Sequence, residues 1–469
     1  MKSNLKIRCM FTAPEPQTGM AQGFTPVADW GWASTEDEVH EEIESVKKDL
    51  GKIEKQFNNE VKFEGWDIVR NEDEILSKSF EIQTSDIDAV LLFPCTTNIS
   101  YMHAFLTLNK HLIVFNKEYL KPFYGGNLLG LHFDWDLNQS NRSRWVSIVT
   151  DSYDSLSRKI RAIRAISRLK RTKILCIGPL HQHIGGKTLR RGSYEAVRNA
   201  QEKLGLAIEF ASLEEFKREI GKTEVSDEIK QVHKDFMEKA KEIDSSVKEK
   251  EALEAVKVYF AWKKMIERTN SNASTISCYQ TKIIDEIDTT PCYALSKLND
   301  EGIVTGCEAD IDALVNLLIA SYVADKPVYM GDPIFTEASN KMINAHCTCP
   351  LKLKGYNKEN EPYVATTHYE SGKGLAVQTI MEVGSEITVT MLSPDLSAIV
   401  ITKGIITKSD MRYPACRVQV EFEVKNSSEF IHQCKIHIPF IGHMINVIGD
   451  YSREIAEACR ILNIEPIVV

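Results

Sequence analysis

Three closely spaced carboxylates are the residues best placed to do chemistry. Glu308, Asp310 and Asp312 lie within five residues, at the start of the apolar helical segment 311–324. Acidic residues at a helix start are favoured by capping and by the helix dipole, which accounts for Asp310 and Asp312. Glu308 differs because it precedes the helix, at the end of a predicted strand, where α/β folds place ligand-contacting residues.

A further carboxylate, Asp332, lies 24 residues after Glu308 (332 − 308), in a Gly-Asp-Pro turn. Aspartate before proline is common in turns for structural reasons alone. If 303–306 and 328–331 are neighbouring parallel strands joined by the helix, both carboxylates emerge at one sheet edge. Two carboxylates and one imidazole would bind a hard divalent cation such as Mn²⁺ or Mg²⁺ and leave positions for a substrate diol.

Three histidines are candidates for that imidazole or for contacts with a ligand. His443 lies in an otherwise apolar stretch, where an imidazole is costly unless a partner engages it, although such a histidine is more often structural. His346 is followed by Cys-Thr-Cys, whose spacing does not fit a structural zinc site. His368 precedes the glycine-rich loop containing Lys373, which suits an anionic or polyhydroxyl ligand but lacks the P-loop pattern.

A second basic, glycine-rich segment follows the predicted strand 173–178. It comprises 181–187 together with Arg190 and Arg191, and it suits an anion, although a surface loop is the simpler interpretation. No GxGxxG motif follows a strand, and neither GxSxG nor HExxH occurs in the sequence. Nicotinamide-dependent, serine-hydrolase and zinc-protease functions therefore lack their signatures.

Composition excludes several classes of protein. The 469 residues are 43% hydrophobic and 26% charged, as in an ordinary folded chain. The formal charge is −9, from 57 basic and 66 acidic residues, which argues against nucleic-acid binding. The 11 cysteines and the absence of a signal-peptide pattern predict reduced thiols in a cytoplasmic protein. No apolar stretch approaches the ~20 residues that cross a bilayer, so we expect no membrane span.

The elements that must position these residues divide into three predicted domains. Residues 1–170 alternate strand and helix patterns and predict a doubly wound, Rossmann-like α/β domain. The pattern restarts over 171–345, a second such α/β domain that carries both carboxylates. Residues 346–469 are rich in alternating β-branched residues, which predicts a mostly β, barrel-like domain with a closing helix and His443.

Four segments together resemble the L-fucose isomerase and L-arabinose isomerase superfamily, from about residue 278 to the C-terminus. They are PCYALSKLNDEGIVTGCEADIDALVNLLIA, PVYMGDP, HYESGKG and GHMINVIGDYSREIAEACRILNIEPIVV. The resemblance implies that Glu308, Asp332 and His443 hold a Mn²⁺ ion, for which Mg²⁺ or Co²⁺ can substitute. It also implies a homo-oligomer, a trimer or a hexamer.

The activity implied is aldose–ketose isomerisation of a pentose or hexose through a cis-enediol. Glu308 and Asp332 are expected to move the proton between C1 and C2, while the metal stabilises charge on the two sugar oxygens. By the same resemblance Gln280 contacts the sugar. We expect three more residues to contribute to substrate binding: His346, His368 and Lys373.

Two alternatives stay open. One is an isomerase for a sugar with a phosphate or sulfonate group, which is motivated by four basic residues: Lys187, Arg190, Arg191 and Lys373. The other is a noncatalytic sugar-binding relative of the same fold, although such a protein has no need for a metal-bound proton shuttle. No residue pattern fixes the stereochemistry of the sugar.

Overall fold

A computed structural model of the chain describes residues 5–13, 36–95, 99–120, 145–180, 191–278, 283–438 and 442–469. The chain forms two compact units, Met1–Ser167 and Arg168–Val469. Among the described helices, none combines the length and the apolar character needed to span a membrane.

The first unit is built on a five-stranded parallel sheet with the order β2-β1-β3-β4-β5. The strands β3 and β4 are continuous apolar runs that are fully buried, as expected for a parallel sheet covered on both faces. The elements are β1 (Leu5–Thr12), α1 (Glu36–Gln56), β2 (Val61–Val69), α2 (Glu72–Gln83), β3 (Ala89–Pro94), α3 (Ile99–Phe105), β4 (His111–Asn116), β5 (Val146–Thr150) and α4 (Tyr153–Lys170).

The second unit begins with a four-stranded parallel sheet of order β10-β9-β6-β7. Some of its helices begin at capping residues, such as Ser212, which forms a capping box with Glu215. The elements are β6 (Lys173–Ile177), α5 (Arg191–Leu204), β7 (Ala207–Ala211), α6 (Leu213–Lys222), α7 (Asp227–Lys239), β8 (Glu242–Ile243), α8 (Glu249–Arg268), β9 (Ala273–Ile276), α9 (Ile283–Ile287), α10 (Cys292–Asp300), β10 (Val304–Cys307) and α11 (Ile311–Ala324).

The rest of the second unit is a closed antiparallel barrel. The strand order is β15-β18-β11-β12-β17-β16, and β15 also pairs with β16, which closes the sheet. The strand β19 adds to β16 in parallel, and β13 and β14 form a small sheet with β8. The elements are β11 (Tyr329–Ile334), β12 (Lys341–His346), β13 (Tyr363–Thr366), β14 (Ala376–Thr379), β15 (Glu386–Leu392), β16 (Ala398–Lys408), β17 (Val418–Val424), α12 (Ser427–His437), β18 (Met444–Ile448), α13 (Ser452–Ile461) and β19 (Glu465–Val468).

The helix α11 joins the parallel sheet to the barrel and packs against both. All of its residues are buried, and it contacts β10 on one side and β15 and β18 on the other. Its one buried amide, Asn316, is satisfied by the backbone carbonyl and the hydroxyl of Thr390 in the barrel. A helix that is apolar around its whole circumference must be covered on every face, which these two layers achieve.

The predicted combination of parallel α/β sheets with a barrel-like β part near the C-terminus is confirmed. The division into three domains with the boundaries given above stays a prediction. One detail of the predicted topology is wrong: β11, which carries Asp332, is not a parallel neighbour of β10. It pairs antiparallel with β12 and β18, because α11 leads into the barrel instead of returning to the sheet.

Candidate functional site

Glu308 occupies a strained corner between β10 and α11. The φ angles of Glu308 and Ala309 are 64° and 54°, in the left-handed region that costs residues with a side chain about 1–2 kcal/mol each. The next residue, Asp310, is the N-cap of α11 and accepts a hydrogen bond from the backbone amide of Ala313. Such strain persists where the surroundings determine it, and it is frequent at functional sites.

Asp332 reaches the same place from the barrel. The strand β11 pairs with β18 through Gly331 and Met444, so continuation of this register sets Asp332 opposite His443. Gly331 is required here because a Cβ atom on it would lie 2.9 Å from the carbonyl oxygen of Ala345. The Asp332 side chain is 60% exposed, whereas that of His443 is 3% exposed.

The two predicted carboxylates converge on the predicted imidazole. The Nε2 atom of His443 lies 3.8 Å from a carboxylate oxygen of Glu308 and 3.8 Å from one of Asp332. Each separation exceeds hydrogen-bond length, and each carboxylate oxygen is close enough to Nε2 for that pair of atoms to share an ion about 2.1 Å from both. The structure thus brings together the three residues that the sequence singled out, although from different sheets.

Asp310 fixes the orientation of His443. Its carboxylate lies 2.8 Å from Nδ1 of His443, and both side chains are at most 3% exposed. Burial lowers the pKa of His443, but the hydrogen bond that Nδ1 donates to Asp310 and the negative charges of Glu308 and Asp332 outweigh it and raise the pKa well above its ordinary value. With the Nδ1 proton donated to Asp310, Nε2 is the nitrogen that faces the two carboxylates.

The sequence interpretation of Asp310 as a helix cap is therefore correct but incomplete. Its position two residues after Glu308 was the available signal for a second role. That signal was hidden because capping alone explains an aspartate at this position.

His346 extends the site. It ends β12 with 2% exposure, and its ring centroid lies 5.3 Å from that of His443. Potential ligand atoms of Asp332, His346 and His443 lie within 4.8 Å of one another. Burial and the nearby His443 lower the pKa of His346, which keeps it neutral, and its buried Nε2 has no hydrogen-bond partner among the described residues.

A thiol also borders the site. Cys307 precedes Glu308, and its sulfur lies within 4.8 Å of potential ligand atoms of Glu308 and His346. Its Sγ atom is 3.2 Å from that of Cys278. This contact and burial raise the pKa of Cys307 well above the usual value, so the thiol is neutral in the absence of a soft metal.

The remaining candidate residues lie in different surroundings. His368 is buried, and its Nδ1 contacts the hydroxyl of Ser371 at 3.0 Å; burial and His346 lower the pKa of His368 to about 4. Lys373 forms ion pairs with Asp285 and Asp288 at 3.3 and 3.2 Å. Gln280 and the segment 181–190 lie outside the described residues. The substrate-binding roles of these residues stay predictions.

Comparison with known proteins finds relatives over part of the chain. Sulfoquinovose isomerases of Priestia aryabhattai and Priestia megaterium are each 26% identical over 209 residues, which covers 43% of this chain and 45% of those proteins. Sulfoquinovose isomerase of Alkalicoccus urumqiensis is 25% identical over 214 residues, covering 44% and 46%. The chain thus spans less than half the length of these curated relatives.

Other comparisons add no functional argument. No family model matches the chain. A solute-binding protein of an ABC transporter from Burkholderia multivorans superposes with a TM-score of 0.18 at 10% identity, covering 69% of this chain and 95% of that protein.

Proposed function

We propose that this protein is a metal-dependent aldose–ketose isomerase and that its substrate is a hexose with a sulfonate group. One observation carries the proposal: the carboxylates of Glu308 and Asp332 lie equally far from Nε2 of His443, whose other nitrogen is held by Asp310. The partial similarity to sulfoquinovose isomerases supports the reaction and favours the sulfonated substrate over the neutral pentose or hexose.

The donor atoms fit a divalent cation. Glu308, Asp332, His443 and His346 would hold it, with two carboxylates and two imidazoles as ligands, and His443 would lose its Nε2 proton when the ion binds. This mixture of oxygen and nitrogen donors suits Mn²⁺, with Mg²⁺ or Co²⁺ as substitutes. A buried imidazole nitrogen that lacks a partner among the described residues, Nε2 of His346, supports the fit, since burying it without a partner is costly. When bound, the ion would supply Lewis-acid stabilisation of the charge that develops on O1 and O2 of the sugar.

Glu308 and Asp332 perform the proton transfers. In the aldose-to-ketose direction a carboxylate removes the C2 proton, the C1 carbonyl oxygen gains a proton, and a cis-enediol forms. Return of a proton to C1 and loss of the O2 proton then give the ketose, with no net change in protons or electrons. The two carboxylates approach the site from β10 and β11, and this places an acid and a base together.

Burial differs between the two carboxylates, which suits different roles. The Glu308 side chain is 14% exposed and that of Asp332 is 60% exposed. A carboxylate partly shielded from water exchanges its proton with solvent more slowly, so Glu308 is the better candidate to carry the proton between C2 and C1. Asp332, nearer to solvent, is the better candidate for proton exchange at the sugar oxygens.

The proposal is tested by turnover with defined metal content. The protein is stripped with chelator, Mn²⁺ is restored, and ketose formation is followed by NMR over sulfonated, phosphorylated and neutral pentoses and hexoses. We expect conversion of a sulfonated hexose that requires the metal. Tight Mn²⁺ binding without conversion of any sugar would contradict the proposal and support the noncatalytic sugar-binding alternative.

A further inference from the structure

A guanidinium lies next to the proposed site. Arg417 directly precedes β17, and the first residue of that strand, Val418, pairs with His346 at the end of β12. Antiparallel partners have Cα atoms about 4.5–5.5 Å apart. The backbone of Arg417 therefore lies one residue beyond the strand partner of His346. Arg417 itself is half-buried.

Its side chain is held beside His368. The Nε atom of Arg417 donates to the backbone carbonyl of Thr367 at 3.0 Å, and Nη2 donates to the Thr367 hydroxyl at 3.3 Å. The guanidinium carbon lies 5.2 Å from the ring centroid of Tyr369. The guanidinium is thus held by Thr367 and Tyr369, the two neighbours of His368 in the sequence. The hydrogen bonds use two of its five N–H donors.

Two other basic residues of the described chain, Lys373 and Arg412, are paired with carboxylates. Lys373 is paired with Asp285 and Asp288. Arg412 forms a two-pronged pair with Glu242 at 3.1 and 2.7 Å.

Arg417, by contrast, forms no ion pair within 4.0 Å in the part of the chain that the structure describes. A carboxylate in its vicinity, Asp244, is engaged by Ser246 at 2.6 and 2.8 Å. Hydrogen bonds from Ser246 lower the pKa of Asp244, and the charges of Arg417 and Arg412 add to this. Arg417 also contributes to the lowered pKa of His368, after burial and His346.

We propose that Arg417 binds the sulfonate group of the sugar. This rests on the proposed function, which sets C1 and C2 of the hexose at Glu308 and Asp332. Five carbon–carbon bonds of about 1.5 Å separate C1 from C6, so a group on C6 lies several ångströms from the carboxylates. Arg417 directly precedes the strand partner of His346, and it contacts the residues on either side of His368. The planar fork of a guanidinium matches two oxygens of a sulfonate, which a neutral C6 hydroxyl cannot offer.

The test compares a sulfonated and a neutral hexose of the same stereochemistry, sulfoquinovose and glucose. The variants are Arg417→Gln, which removes the charge, and Arg417→Lys, which keeps it without the fork. Arg412→Gln is the matched control, because it removes a nearby arginine that is paired on the surface. Initial rates are measured with Mn²⁺ restored, and binding of each sugar to the chelator-treated protein is measured by calorimetry.

We expect Arg417→Gln to lower kcat/KM for sulfoquinovose roughly 10- to 100-fold, the size of a charged hydrogen-bond pair, with little change for glucose. Arg417→Lys should fall between, and Arg412→Gln should match the wild type on both sugars. Equal losses on the two sugars would show a merely structural role and overturn the proposal, as would unchanged kinetics.

The binding measurement separates this proposal from the proposed function. A wild type that binds sulfoquinovose more tightly than glucose, with the preference lost in Arg417→Gln, supports the role of Arg417 even if neither sugar is converted. Such a result without conversion would contradict the isomerase reaction alone. A wild type that shows no preference in binding overturns the role of Arg417.

Discussion

Replacement of Asp310 by asparagine should weaken the binding of a metal ion to the folded protein. In the wild type one Asp310 oxygen faces Nδ1 of His443 at 2.8 Å, and the other accepts from the amide of Ala313 at 3.4 Å. Asparagine has a single oxygen, so one of the two contacts must be replaced by an NH₂ group. If that group faces Nδ1, the imidazole proton moves to Nε2, and the nitrogen that faces the carboxylates loses its lone pair.

The expected size follows from the position of Asp310 behind a ligand. Loss of a carboxylate that orients a metal-binding histidine typically lowers metal affinity 10- to 100-fold, or about 1.4–2.7 kcal/mol. Asparagine is as good an N-cap as aspartate, so the change at the cap should cost little. Loss of the charged hydrogen bond to His443 should lower the free energy of unfolding by about 1.5–3 kcal/mol, so stability and Mn²⁺ affinity are measured separately.

The assay is a titration of chelator-treated protein with Mn²⁺, in which unbound Mn²⁺ is quantified by electron paramagnetic resonance. Thermal unfolding without metal provides the stability comparison. The control is Asp227→Asn, which changes an exposed aspartate in the first turn of α7, far along the chain from the site residues. Unchanged Mn²⁺ affinity in Asp310→Asn would refute the role assigned to the pair, as would an equal loss in the control.

Three further predictions concern the same unit of the protein. Glu308→Gln should abolish turnover while the melting temperature stays within a few degrees; near wild-type activity would contradict the catalytic assignment. Zn²⁺ should inhibit the Mn²⁺-loaded enzyme because Cys307 can join Glu308 and His346 as a ligand, and inhibition titrations should show about tenfold weaker inhibition in Cys307→Ala but not in Cys434→Ala. Asp300 is buried, and burial raises its pKa from 3.8 to about 7, so its ionisation costs stability as the pH rises from about 4 to 7. Asp300→Asn should therefore raise the free energy of unfolding at pH 8 by up to about 4 kcal/mol, seen as a higher melting temperature, and change both little at pH 4. Equal effects at the two pH values would argue against the raised pKa.

Local sequence signals were sufficient for some of the elements. Continuous apolar runs indicated the buried strands that became β3 and β4, and alternating β-branched residues indicated the strands of the barrel. The acidic start of α11 indicated its N-terminus, where Asp310 caps the helix. These features depend on residues near one another in the chain, so they can be seen without knowledge of the fold.

The pairing of β11 could not be predicted in this way. Of the two strands that flank it, β12 follows it closely in the chain, whereas β18 begins more than 100 residues later. Nothing in the local pattern of β11 indicates either partner. A strand, helix and strand in succession favoured a parallel pair. The apolar circumference of α11 was a sign against it, because a helix on an open sheet normally has a solvated face.

The partners of the site residues could likewise not be predicted from the spacing of residues along the sequence. Asp310 meets His443 across 133 positions of the chain. Arg417 belongs to no motif, and its contact with Thr367 spans 50 positions of the chain. The oligomeric state and the cytoplasmic location stay predictions, and size-exclusion chromatography with light scattering would test the first.

The most direct test of the account is anomalous diffraction from a crystal soaked in Mn²⁺ and recorded at the manganese absorption edge. We expect one strong peak about 2.2 Å from a carboxylate oxygen of Glu308, a carboxylate oxygen of Asp332 and the Nε2 atoms of His443 and His346. No peak there, or a peak held by other residues while the enzyme is active, would contradict the claim that these side chains form the catalytic metal site.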